Sequence, residues 1–201
     1  MITTDGSYRG NKQICLKEIA DLALGFCKTI ESCIVFKRTG EEISMKPNRD
    51  FWWHDEVLKV SDFLTATEMD SEDPLFILYT SGSTGMPKGV QHNCGGYMVY
   101  AEYSFRNVFQ YNENDIYWCT ADIGWITGHT YIVYGPLLSG STSVMFEGVP
   151  TFPDPGRFWE ICEKYRVNIF YTAPTAIRAL QAYGTSYPEK YNLSSLKTLG
   201  S

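Results

Sequence analysis

The chain has no C-x-x-C pair, no excess of basic charge, only three histidines and no long uninterrupted apolar run. Each absence removes a class of function. The six cysteines, Cys15, Cys27, Cys33, Cys94, Cys119 and Cys162, fit no zinc-site spacing, and most sit beside apolar residues as buried thiols do. His54, His92 and His129 are far apart, so no protein-held transition metal is expected. A net charge of −6 leaves no general footprint for nucleic acid. A membrane span needs about 18 consecutive apolar residues, and none is predicted. Residues 1–12 are polar and glycine-bearing, unlike a secretory signal, which makes the cytoplasm the expected compartment. Oligomeric state is not readable.

What is present is an ordinary globular composition, with 44% apolar and 20% charged residues and fourteen tyrosines in 201 residues. That length supports one sizeable core or two small ones. Apolar spacing over 16–30, at Leu16, Ile19, Leu22, Ala23, Phe26 and Ile30, predicts a helix. Residues 33–36 read as a strand and 38–41 as a turn. A short helix is expected near 54–64, then an acidic linker from Glu68 to Pro74 between two α/β subregions. Strands are expected at 75–79, 115–120, 142–146, 167–171 and from 196. Helices are expected at 92–109, 128–138, 155–165 and 174–182, the last two opened by proline. Alternating strands and helices predict an α/β fold of mostly parallel sheets flanked by helices.

Residues 79–89, Tyr-Thr-Ser-Gly-Ser-Thr-Gly-Met-Pro-Lys-Gly, carry the strongest chemical signal. Glycines let backbone approach a ligand, hydroxyls and free N–H groups face an anion, and Lys88 adds charge. This suits the phosphates of a nucleotide. It is not a Walker A loop, because Met86-Pro87 follows Gly85 and Gly89 follows Lys88. A plain Gly/Ser linker is the alternative, and it leaves the lysine and the preceding strand unexplained.

The loop resembles that of the adenylate-forming superfamily. Asp115 to His129, Tyr134-Gly-Pro-Leu, Phe146-Glu-Gly-Val-Pro150 and Tyr171 to Leu180 are similar to acetyl-CoA synthetases (AMP-forming acetate–CoA ligases). So are Asp5 to Gly10, Lys37 to Gly40 and Arg49 to Asp55. The resemblance implies an internal part of the large AMP-binding domain of a longer protein, without its upstream segment and C-terminal lid domain. It implies acetate, ATP with Mg2+ and CoA as small-molecule partners, with no nucleic acid and no membrane. Thr80, Ser81, Gly82, Ser83, Thr84, Gly85 and Lys88 fall in the ATP-phosphate loop, Thr84 and Lys88 as its catalytic residues. Trp125, Ile126 and Thr127 fall in the acyl pocket. Arg9, Gly10, Asn11, Lys12, Thr127 and Thr151 fall at CoA-contact positions. No metal ligand falls in this segment. Met86 stands where relatives often have Lys, Ile126 where Val is usual, Lys12 where Arg is common and Thr151 where Asn is frequent. His129 and Arg178 read as structural. The adenine- and ribose-contacting motifs are not in the sequence, so the segment alone is expected to be inactive. A propionyl-CoA or other short-acyl synthetase and a non-catalytic nucleotide- or CoA-binding module are the alternatives.

Overall fold

The computed structural model describes residues 1–81 and 85–201. The chain forms two compact units, residues 1–66 with 147–149 and residues 67–146 with 150–201.

In the first unit, β1 (Ile2–Thr4) leads to a hairpin of β2 (Ser7–Arg9) and β3 (Lys12–Ile14), then to helix α1 (Leu16–Leu24). Strands β4 (Cys33–Phe36) and β5 (Asp50–Trp52) follow, then α2 (Trp53–Glu56) and a 3-10 turn, Val57–Lys59. The strands β1-β4-β5 form a parallel sheet in that order. Its apolar core is small: Leu24, Cys33 and Val35, flanked by Ile30, Ile43, Met45 and Trp52. The helix ends earlier than its apolar spacing suggests, and it buries a different face. Lys17, Ala20 and Leu24 are inside, while Ile19, Leu22 and Phe26 are exposed. Charge decides the orientation. The Lys17 ammonium donates to Asp21 Oδ2 at 2.7 Å and to the Ser44 carbonyl at 3.0 Å, and lies 2.9 Å from Asp50 Oδ2. Arg49 grips the same two carboxylates, reaching Asp50 Oδ1 at 2.5 Å. A buried lysine persists only when paired in this way.

In the second unit, β6 (Pro74–Thr80) and β7 (Lys88–Asn93) form an antiparallel pair that runs into α3 (Cys94–Val108). Asn93 caps this helix by accepting the Gly96 N–H at 3.1 Å. Strand β8 (Ile116–Cys119) precedes a helical stretch over 126–138. That stretch consists of α4 (Ile126–Gly128), a π-helical segment His129–Tyr134 and α5 (Gly135–Leu138). Then come β9 (Thr142–Val144), α6 (Arg157–Lys164), β10 (Ile169–Tyr171), α7 (Pro174–Gln181), a 3-10 turn at Pro188–Lys190 and β11 (Thr198–Gly200). The sheet order is β11-β10-β8-β9, all parallel. Successive strand residues face opposite ways. Trp118 and Phe170 therefore meet Phe158, Ile161 and Cys162 of α6. Tyr117, Cys119 and Ile169 meet Phe105 of α3 and Phe109 just beyond its end. Both faces of this sheet are covered, as a parallel sheet requires.

The α/β class with mostly parallel sheets matches the expectation. Other elements differ, besides α1. The helix expected from residue 92 begins at Cys94, because residues 88–93 are spent as a strand on β6. The helix expected near 54–64 stops at Lys59. No helix among the described residues is long and apolar enough to cross a membrane.

Candidate functional site

The glycine-rich loop is the tip of the β6–β7 hairpin. Thr80 and Lys88, its two ends, are direct cross-strand partners. Directly opposed residues point to the same face of a sheet, so a hydroxyl and an ammonium stand together at the base of the loop. Ser81 and Lys88 are exposed. Gly85 has φ +79°, a conformation that L side chains rarely adopt, and none of the described residues would crowd a Cβ there. Gly82, Ser83 and Thr84 lie outside the described residues. The hydroxyl, glycine and lysine positions that are described form an outward-facing, water-accessible rim.

The second set of candidates emerges from the carboxyl end of β8, where ligands gather in open α/β sheets. Thr120, at that end, pairs with Thr172 beyond β10, their hydroxyl oxygens 2.6 Å apart. The chain then turns on Asp122, whose Oδ1 accepts the Gly124 N–H at 2.7 Å. Trp125 caps α4, and its carbonyl accepts the Gly128 and His129 N–H groups at 2.9 and 3.2 Å. A Cβ on Gly128 would lie 2.4 Å from the Asp122 carbonyl oxygen, so only glycine lets this turn close on itself. The Trp125 indole is 68% exposed, so it is no core aromatic.

Ile126 and Thr127 line a cleft of about 710 Å3 whose other walls are β7 and α3. Gln91, His92, Asn93, Tyr97 and Tyr100 form those walls, and motif reading named none of them. At the cleft wall the Tyr97 and Thr130 hydroxyls are 2.7 Å apart, and Thr130 also donates to the Ile126 carbonyl at 2.9 Å. Burial raises the Tyr97 pKa above its ordinary value despite the Thr130 hydrogen bond. The phenol therefore serves as a neutral donor or acceptor at physiological pH. Phe76 is packed by both neighbouring imidazoles, His92 and His129, each with ring centroids 4.8 Å away. His129 thus packs and hydrogen-bonds. Trp125 is not among the residues lining the cleft.

The remaining candidates divide between the units. Thr151, partly buried, belongs to the second, whereas Arg9, Gly10, Asn11 and Lys12 belong to the first. Gly10 and Asn11 form the two-residue turn of the β2–β3 hairpin, with Gly10 at φ +65°. The turn sets Arg9 and Lys12 directly opposite each other. Both side chains are exposed, and among the described residues neither has an ion-pair partner. Like charges placed opposite destabilise a hairpin unless an anion joins them. Among the described residues no group of three or more His, Cys, Asp or Glu side chains converges as a metal site.

Comparison with known proteins adds the family. The model of the AMP-binding enzyme family matches residues 12–201. The acetyl-coenzyme A synthetase of Methylobacillus flagellatus is 55% identical over 202 residues, covering the whole of this chain and 31% of the relative. That of Desulfatibacillum aliphaticivorans is 54% identical over 200 residues, and that of Wolinella succinogenes 56% over 202, with the same coverage. The chain therefore spans about a third of the length of these relatives. With the family model matching nearly all of its length and the loop, strand order and carboxyl-end segment in place, the chain belongs to the AMP-binding enzyme family.

Proposed function

We propose that the chain supplies the phosphate loop, part of the acyl pocket and CoA contacts of an AMP-forming acetate–CoA ligase. The observation that carries this reading is the cross-strand pair Thr80–Lys88 at the mouth of the glycine-rich hairpin, in a chain matched end to end by acetyl-coenzyme A synthetases. In the first half-reaction an acetate oxygen attacks the α-phosphorus of ATP and pyrophosphate leaves. Lys88 and the loop hydroxyls neutralise the charge that builds on the departing phosphates. Acetate is already ionised near neutral pH, so no general base is needed. In the second half-reaction the CoA sulfur attacks the acyl carbon and AMP leaves. Arg9 and Lys12 hold a CoA phosphate, and Thr127 and Thr151 contact CoA elsewhere. The hydroxyls near Lys88 suit a nucleotide whose phosphates carry Mg2+ with them. Mg2+ carried on those phosphates would supply further charge neutralisation, while the ammonium orients the phosphate tail.

The test uses the Methylobacillus flagellatus relative with this chain replacing its matching segment. Acetate-dependent ATP–pyrophosphate exchange is expected, and Lys88→Ala is expected to lower it by about 10²–10³-fold. A folded chimera without acetate-dependent exchange would refute the reading. The 201-residue chain alone is expected to form no acetyl-CoA, because it covers 31% of its relatives and lacks the adenine and ribose motifs the resemblance implies.

Ile126 favours acetate over propionate, since it is one methylene larger than the Val usual at this position. Ile126→Val in the chimera is expected to lower the acetate preference by about threefold to tenfold. That is less than a fully enclosed methylene would give, because Ile126 is 41% exposed. An unchanged ratio of kcat/KM values would remove Ile126 from the acyl pocket.

A further inference from the structure

We infer that Glu147 is a positioning residue for CoA binding, acting through the hairpin that carries Arg9 and Lys12. The inference rests on the reading of that hairpin as a CoA-phosphate contact.

A two-stranded hairpin is marginal on its own and must be tied to something. One tie is at its base, where the Gly6 N–H donates to Asp5 Oδ1 at 2.7 Å. The second tie comes from a distant part of the sequence. Glu147, in the short segment 147–149 that packs with the first unit, reaches the outer edge of β2. Its Oε1 accepts the Tyr8 N–H at 3.1 Å, and its Oε2 accepts Arg38 Nε at 2.8 Å and also Arg38 Nη2. The Arg38 guanidinium in turn lies over the Tyr8 ring, 5.6 Å from its centroid. One carboxylate therefore holds the backbone of β2 directly and its Tyr8 side chain through a stacked arginine. Tyr8 is the residue before Arg9, and its own partner Gln13 is the residue after Lys12. Fixing Tyr8 fixes the strand ends that carry both cations.

Arg9 and Lys12 repel each other, so a loosened hairpin would let them splay. Holding them opposed spares an arriving phosphate the cost of collecting them. The Glu147 charge itself opposes a phosphate. Removing it should, by charge alone, strengthen CoA binding. Positioning acts in the opposite direction, and that difference in sign makes the inference testable.

The experiment follows the backbone amides of residues 8–12 by NMR as the 201-residue chain is titrated with CoA, then with dephospho-CoA, which lacks the 3′-phosphate. In the unaltered chain CoA is expected to shift these amides saturably and at lower concentration than dephospho-CoA. Glu147→Ala is expected to weaken CoA binding by about threefold to tenfold and leave dephospho-CoA unchanged. Glu147→Gln keeps an acceptor for the Tyr8 N–H while losing the Arg38 pair. It should recover part of the loss, and it carries the test if the alanine variant misfolds. CoA binding as tight as before, or tighter, in both folded variants would overturn the role of Glu147 while leaving the hairpin as a CoA contact. No shift at residues 8–12 with CoA in the unaltered chain would overturn the hairpin reading itself, and the role of Glu147 with it.

Discussion

The two units are held together by different means. The second packs aromatic rings on both faces of its parallel sheet: Trp118 stacks on Phe170 with centroids 4.9 Å apart, and Phe105 meets Tyr117 edge-on at 4.8 Å. The first has only three buried residues in its apolar cluster and relies on buried charge instead. Asp5, 1% exposed, accepts four backbone N–H groups, from Gly6, Arg38, Thr39 and Gly40, all within 3.1 Å. Lys17, whose backbone N–H donates to the Asp5 carbonyl at 3.3 Å, forms a closed network with Asp21, Arg49 and Asp50. A small core gains little from apolar area, so hydrogen-bonded charge fixes its geometry. The lesson is that the unit bearing the cationic hairpin is the one whose stability depends on ionisation.

The largest effects should separate the two regimes. Phe170→Ala removes a fully buried ring between Trp118 and α6 and is expected to cost about 3–5 kcal/mol. Native-state hydrogen exchange should show the loss in the second unit alone. Lys17→Met tests the other unit. It keeps the volume but leaves Asp50 with one fewer cation, at an expected cost of about 3 kcal/mol confined to residues 1–66. Equal losses in both units from either substitution would break the contrast.

The sequence exposed this contrast unevenly. Strands β8 and β10 were legible because aromatic and β-branched residues run through them, and α6 sets Phe158, Ile161 and Cys162 at helical spacing. The glycine-rich loop was legible because few structural roles demand that mix of glycine, hydroxyl and lysine. Strand β7 was not. Lys88-Gly-Val-Gln-His-Asn93 lacks alternation, and it is a strand because β6 offers it a long row of cross-strand partners. The three-residue strands β1, β2, β3 and β5 are too short to show a period. The inward face of α1 was hidden for a related reason: Asp21 is a visible i+4 partner for Lys17, but Asp50 arrives from another strand. The cleft was half legible. Ile126 and Thr127 belong to a readable motif, whereas Tyr97 and Thr130 meet only through packing, thirty-three positions apart.

Acid should reveal the same division. The four N–H donors hold the Asp5 carboxyl at about 2 against an ordinary 3.8, overcoming the burial that would raise it. Asp21 and Asp50 are also held below their ordinary value, where the bonds to Lys17 and Arg49 outweigh burial. Groups depressed in this way stabilise the fold above pH 3.8 and lose that contribution as pH falls through their folded values. Asp5 alone accounts for about 2 kcal/mol. Amide protection in residues 1–66 is therefore expected to fall between pH 4 and pH 2, ahead of protection around Trp118 and Phe170. Asp5→Asn should cost about 2 kcal/mol at neutral pH and flatten that part of the acid response. Simultaneous acid loss in both units would mean that charge is no more important to one than to the other.

The smallest effect concerns the exception in the second unit. Asp115 is buried at the start of β8 and its pKa is lowered: the bond from Lys197 at 2.5 Å and the Asn112 N–H outweigh burial. This resembles the chemistry of the first unit, but its partner differs. The Lys197 side chain is 59% exposed, so water and salt screen it, and the Asn112 N–H remains if the lysine is removed. Lys197→Ala is therefore expected to cost about 1 kcal/mol or less, and the cost should shrink further in high salt. Chemical denaturation of this variant at low and high ionic strength measures both numbers. A salt-insensitive loss as large as that from Lys17→Met would show that the aromatic unit, too, is fixed by buried charge.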